Sequence, residues 1–230
     1  MSKHLQTDVD NLHRSLMSLF GVVEQMIDKS LRALCDRQVE LVREVVETDH
    51  RVDGLEVAIE EDCLKILALH QPVAADLRRI TTVLKINYDL ERIADLACNI
   101  GERAVGIHEY PYFPIPEQMP LMVRKATAMV RMALDSFVDG DSQLAREVIV
   151  CDQEVDDFNL AVILELRALM KQDVTMLEPA LHCFSASRNI ERIADHAENI
   201  AEDVIYLVDG DIVRHHKKQQ KYLNSRPRPH

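Results

Sequence analysis

Apolar residues recur every three or four positions along most of the chain, which is the spacing of a helix with one buried face. The segments from Leu41 to Ile66 and from Ile86 to Ala104 both follow this spacing. Proline and glycine, which end helices or stay in loops, interrupt the pattern at only a few places. The pattern therefore predicts an all-α fold of six long antiparallel helices. Their predicted bounds are 5–36, 39–70, 73–108, 117–138, 142–172 and 176–209.

The two halves of the chain repeat each other. The sequence LERIAD at 90–95 returns as IERIAD at 190–195, and LVREV at 41–45 returns as LAREV at 144–148. Matched segments in the same order indicate a tandem duplication of a three-helix unit, because short loops between long helices give bundles. The predicted organisation is a first bundle at 1–108, a proline-rich linker at 109–116, a second bundle at 117–210 and a basic tail, expected to be disordered, at 211–230.

Composition agrees with a helical and acidic protein. Only 4% of residues are aromatic and none is tryptophan, which argues against a β-sandwich or barrel. The formal net charge is −12, and the last 20 residues hold six of the 27 basic residues against one acid. The first 210 residues therefore carry about −17. Such a surface repels nucleic acids and anionic lipids, so neither is expected as a partner.

The cysteines and the hydropathy pattern indicate a cytoplasmic protein. Five cysteines are widely spaced and form no C-x-x-C pair, which excludes a disulfide framework or a thiolate zinc site. The sequence also shows no apolar signal segment and no uncharged apolar run long enough to span a bilayer. We therefore expect a cytoplasmic location and no insertion into the membrane.

Acidic residues form pairs spaced by four residues, at matched positions in both halves. The candidate metal ligands are Asp49, Asp53, Glu91, Asp95, Asp152, Asp156, Glu191 and Asp195. A helical projection places the pairs of the third and sixth helices opposite the apolar stripe, and so predicts that they point outward. Two interpretations are open: a solvated face, with ion pairs such as Arg188 with Glu191, or a surface metal site. Because like charges at this spacing destabilise a helix, their repetition favours metal.

A di-iron site agrees less well with the sequence than a surface metal site does. A ferritin-like di-iron core needs Glu-x-x-His motifs from two helices, and only Glu47 and His50 have that spacing.

His196 is expected to lie at the edge of the core. Arg78 and Arg79 are expected to form a surface charge cluster. The methionines of the fourth helix are expected to fill the core. No catalytic or nucleotide-binding motif occurs, so we do not expect an enzyme.

These repeated motifs resemble the PhoU family of accessory regulators of bacterial phosphate transport. The resemblance rests on the segments 61–67, 71–72 and 76–78, on 90–95, and on 190–195 with Ala197 and Asn199. It extends over about residues 5–209 and implies two tandem three-helix bundles. The tail after Gly210 lies outside the family pattern.

The resemblance also implies a function. It implies a negative regulator of the phosphate-starvation response and of phosphate uptake, which links the ATPase subunit of the phosphate ABC transporter to a sensor histidine kinase. It further implies a homodimer, with iron, zinc, manganese or magnesium bound at the acidic pairs. Cys98 stands where the second repeat has Glu198, so the two sites are expected to differ in occupancy. The alternative is a metal-cluster protein with a storage or metal-dependent role.

Overall fold

The computed structural model describes residues 3–213 and confirms the all-α prediction. Each predicted helix is present, with both ends within two residues of the expected bounds. The helices are α1 (Lys3–Cys35), α2 (Leu41–His70), α3 (Ala74–His108), α4 (Met119–Asp139), α5 (Ser142–Gln172) and α6 (Leu177–Asp209), and a 3₁₀ turn, Val174–Met176, precedes α6. The predicted basic tail lies outside the described residues, apart from 211–213.

The helices end where local chemistry requires it. Gly140 ends α4 with φ of 63°, a left-handed conformation that glycine adopts without a Cβ clash. Asp141 then caps α5, because its carboxylate accepts hydrogen bonds from the backbone nitrogens of Gln143 and Leu144 at 2.9 and 3.0 Å. In the proline-rich linker, the buried Phe113 anchors the chain to the core.

Helices α3 and α6 lie side by side in the centre and run antiparallel. Lys85 near the start of α3 pairs with Asp203 near the end of α6, whereas Gly106 near the end of α3 lies against His182 near the start of α6. Helix α1 packs on α3 and α4 packs on α6, while α1 and α4 touch only weakly. Helix α2 covers α1 and α3, and α5 covers α4 and α6. One hydrophobic core therefore runs through both repeats.

Two expectations about individual residues are confirmed by this packing. Met119, Met122 and Met129 are buried in the core of the second repeat, and Met132 packs against that core while partly buried. His196 lies at the edge of the core, where its Nδ1 is 2.8 Å from Asp89 Oδ1 on α3. The pair joins the two central helices across the boundary between the repeats. Within residues 3–213, no helix combines the length and apolar character needed to cross a bilayer.

Candidate metal centres

Carboxylates from two helices converge at the seam between α5 and α6. Single oxygens of Asp152, Asp195 and Glu198 all lie within 4.8 Å of one another. Asp156 and Glu191 flank them and interact electrostatically with Asp195. We call these five residues the second cluster. Helical spacing explains the arrangement, because residues four apart share one face of a helix and the two helices pack against each other.

The carboxylates of the second cluster repel one another. Partial withdrawal from water raises the pKa of Asp195 to about 6, and the nearby charges of Glu191, Asp152, Asp156 and Glu198 add to the rise. Arg188 compensates part of this charge, since its Nη1 lies 2.9 Å from Glu191 Oε1, as the sequence indicated. A cation at the seam would relieve the remaining repulsion.

The corresponding seam between α2 and α3 holds the first cluster. Its members are Asp49, Asp53, Glu56, Glu91 and Asp95. Desolvation raises the pKa values of Asp49, Glu56 and Glu91, and neighbouring carboxylates raise them further. Arg92 bridges Glu91 at 2.7 Å and Asp95 at 3.0 Å, so part of the charge here is already paired.

Cys98 distinguishes the two clusters. It stands at the position that Glu198 takes in the second repeat, and its Sγ lies 4.0 Å from the carbonyl oxygen of Val45. Burial and then the charge of Asp49 raise the pKa of the Cys98 thiol to about 12, so the group is neutral at physiological pH. At this position the first cluster therefore offers a hard cation a neutral thiol in place of a carboxylate.

The prediction that the acids of α3 and α6 point away from the core was wrong for Glu91 and Glu191, whereas Asp95 is partly exposed and Asp195 is exposed. The side chains of Glu91 and Glu191 are only 16% and 14% exposed. Asp152 on α5, which belongs to the same cluster as Glu191, is buried. A projection of one helix identifies the side opposite the core, but α2 and α5 pack along that flank and cover it. Asp95, in contrast, keeps a side-chain exposure of 40%.

The eight residues chosen from the sequence fall into these two clusters, four in each. That choice omitted Glu198 and Glu56, which the structure places beside the chosen residues. Both could have been found, because each lies three residues after a chosen acid, Asp195 or Asp53, on the same helix.

The donor set of the second cluster fits a hard divalent cation. Magnesium and manganese prefer several oxygen ligands that converge on one point, and carboxylates from two rigid helices supply them. Glu191 Oε2 adds to the fit, since it is buried without a hydrogen-bond partner among residues 3–213. Asp152, Asp195 and Glu198 would hold the ion directly, and Asp156 and Glu191 would lie beside it.

Comparison with known proteins finds relatives that match most of the chain. The family model described as the PhoU domain matches twice, at residues 16–104 and 119–204. Each match contains one complete acidic cluster. The chain belongs to the PhoU family. Within the family, it is 36% identical to the phosphate-specific transport system accessory protein PhoU homologue of Pseudomonas aeruginosa, over 94% of this chain and 89% of that protein.

Two further relatives agree. The PhoU homologue of Aquifex aeolicus is 38% identical, over 93% of this chain and 97% of that protein. The crystal structure of PhoU from Pseudomonas aeruginosa superposes with a TM-score of 0.87 at 35% identity, covering 90% of this chain and 99% of the other. The tandem helical architecture is therefore that of the PhoU family.

Proposed function

We propose that this protein is a cytoplasmic negative regulator of the phosphate-starvation response and of phosphate uptake. The observation that carries the proposal is its similarity, along more than nine tenths of its length, to accessory proteins of phosphate-specific transport systems. In this role the protein is an adaptor that contacts the ATPase subunit of the phosphate transporter and a sensor histidine kinase, and it works as a homodimer. The long helical faces supply surface for such contacts.

In the proposed mechanism, the acidic clusters are metal sites that support the adaptor. A divalent ion at the second cluster would join α5 to α6, since Asp152 belongs to one helix and Asp195 and Glu198 to the other. The ion would be iron, zinc, manganese or magnesium. It would supply positive charge that offsets the repulsion among the carboxylates, and it would thereby stiffen the seam. No catalytic step is assigned to these residues.

Deletion of the gene tests the regulatory role. In phosphate-rich medium, the deletion strain is expected to express alkaline phosphatase at a high level, because the kinase is no longer held in its repressing state. A plasmid copy of the chain should restore repression. Unchanged repression in the deletion strain would contradict the proposal.

The second candidate function is metal storage or a metal-dependent activity, favoured by the convergence of three carboxylates in the second cluster. It predicts that Asp95→Ala combined with Asp195→Ala abolishes the phenotype of the complemented strain. Repression that survives in a metal-free double variant would show that the metal is incidental to the adaptor.

A further inference from the structure

We propose that each repeat binds one amphipathic helix of a partner protein, along an exposed apolar band that leads to its acidic cluster. The inference rests on the proposed adaptor function and specifies where and how a partner docks. The second band consists of Leu160, Leu164, Leu177, Leu181 and Phe184, and the first band of Val57, Leu64, Leu77 and Tyr88.

On α6 the band and the acids share one face. Leu177, Leu181 and Phe184 are spaced by four and three residues, and their exposed fractions are 41%, 49% and 40%. At 100° per residue, Asp195 lies about five whole turns beyond Leu177 and therefore directly in line with it. The same stripe of the helix thus changes from apolar, through Arg188 paired with Glu191, to acidic as it reaches the second cluster.

Helix α5 continues the pattern on the other side of the seam. Leu160 and Leu164 extend the four-residue spacing of Asp152 and Asp156, and they are 57% and 54% exposed. Large aliphatic side chains at this spacing ordinarily face a core. Here they face solvent and border carboxylates, which is the character of an interaction surface rather than of packing.

The first repeat reproduces the arrangement at two positions. Val57 is 51% exposed at the position that Leu160 takes in the second repeat, and Leu77 is 41% exposed at the position of Leu177. Tyr88 is 53% exposed, and the centroid of its ring lies 5.2 Å from Arg92 Cζ, the arginine that bridges Glu91 and Asp95 of the first cluster. Exposed apolar residues at these two matched positions, together with Leu64 and Tyr88, indicate a corresponding band in the first repeat.

Charge selects the kind of partner. The second cluster has five carboxylates, so it stays negative even with Arg188 paired to Glu191 and one divalent cation bound. Such a surface repels an anionic membrane. A second copy of this chain would bring acidic residues of the same sign. The complementary partner is a helix with two or three large apolar residues on one face and lysine or arginine at the end that meets the cluster.

The test is calorimetric titration of the full chain with a designed peptide of about 18 residues, five helical turns, that carries leucine on one face and lysine at one end. We expect two peptides per chain. Leu181→Ser with Phe184→Ser should remove one of the two sites, because the anchors of the second band are lost. Val150→Ser is the matched control: Val150 is 72% exposed on α5 but lies outside the band. Replacing the lysines of the peptide with glutamate should weaken binding about tenfold or more.

Other results would overturn the inference. These are an unchanged stoichiometry in the Leu181 and Phe184 variant, equal affinity for the glutamate peptide, binding of anionic vesicles through the band, or loss of self-association instead of peptide binding. Failure is distinguishable from failure of the regulatory role. A band variant that binds no peptide at the second repeat but represses alkaline phosphatase fully would refute the docking surface and leave the regulatory function standing.

Discussion

Asp152 on α5 and Asp195 on α6 bring carboxylate oxygens within 4.8 Å of each other. The two residues belong to different helices and face each other across a packed seam. Bringing two carboxylates this close is unfavourable, because each loses part of its hydration and the two charges repel each other. The raised pKa of Asp195 records that cost. This arrangement is the basis for the proposal that a cation binds at the seam.

The first prediction concerns pH and His13, which stacks on Phe137 with ring centroids 5.5 Å apart. Burial lowers the pKa of His13 below 6.5, Arg79 lowers it further, and Asp10 opposes the shift. The unfolded chain therefore takes up the proton first as the pH falls. Relative to His13→Phe, the wild-type protein should lose stability as the pH falls through 6.5, the pKa that His13 has in the unfolded chain.

Urea unfolding followed by circular dichroism at several pH values measures this difference. The effect should vanish above about pH 7.5, where His13 is neutral in both the folded and the unfolded chain. A stability difference between wild type and variant that is independent of pH would show that His13 titrates alike in both states.

The second prediction concerns a close contact between the central helices, at Gly106 and His182. A Cβ atom at Gly106 would lie 2.6 Å from His182 Cε1. Gly106→Ala should therefore destabilise the protein by about 2 kcal/mol, since the imidazole ring must move. Gly54→Ala is the control, because no atom lies within 4 Å of its added methyl. It should stabilise α2 by about 0.5–1 kcal/mol.

Thermal unfolding of both variants provides the comparison. Adding His182→Ala to Gly106→Ala should recover part of the lost stability, because the obstructing ring is removed. If the two alanine variants unfold at the same temperature, the close packing of α3 on α6 at this point is refuted.

The third prediction concerns Lys85 and Asp203, which join α3 to α6. Lys85 Nζ lies 3.2 Å from Asp203 Oδ1, and the Asp203 side chain is only 2% exposed. Lys85→Met should destabilise the fold by about 1–2 kcal/mol, since it leaves a buried carboxylate without this counter-charge while the lysine itself is partly solvated. Arg43→Met, which breaks an exposed pair with Glu47, should have no measurable effect.

The denaturant midpoint of each variant, compared at constant m-value, separates the two cases. Equal midpoints for Lys85→Met and wild type would mean that the pair contributes nothing to the contact between the repeats.

The helices were predictable because long amphipathic segments carry their own periodicity and because Gly140 and the prolines interrupt it. The residues that form the acidic pairs could be chosen from the sequence, because a spacing of four residues places two side chains on the same face of one helix. Their partial burial was not, because it depends on α2 and α5, which a projection of α3 or α6 does not include. The antiparallel contact of α3 with α6 was also not predictable, because contacts such as Asp89 with His196 join residues far apart in the sequence.

The metal content of the full chain tests the central claim most directly. The measurement is mass spectrometry of protein purified without chelator and without nickel affinity resin, compared with Asp152→Ala combined with Asp195→Ala and with the exposed control Asp157→Asn. Clusters that bind metal predict at least one divalent ion per wild-type chain, the same content in the Asp157 variant, and loss of the second-cluster ion in the double variant. Wild-type protein without metal, which also takes up none on titration with manganese or magnesium, would contradict the account.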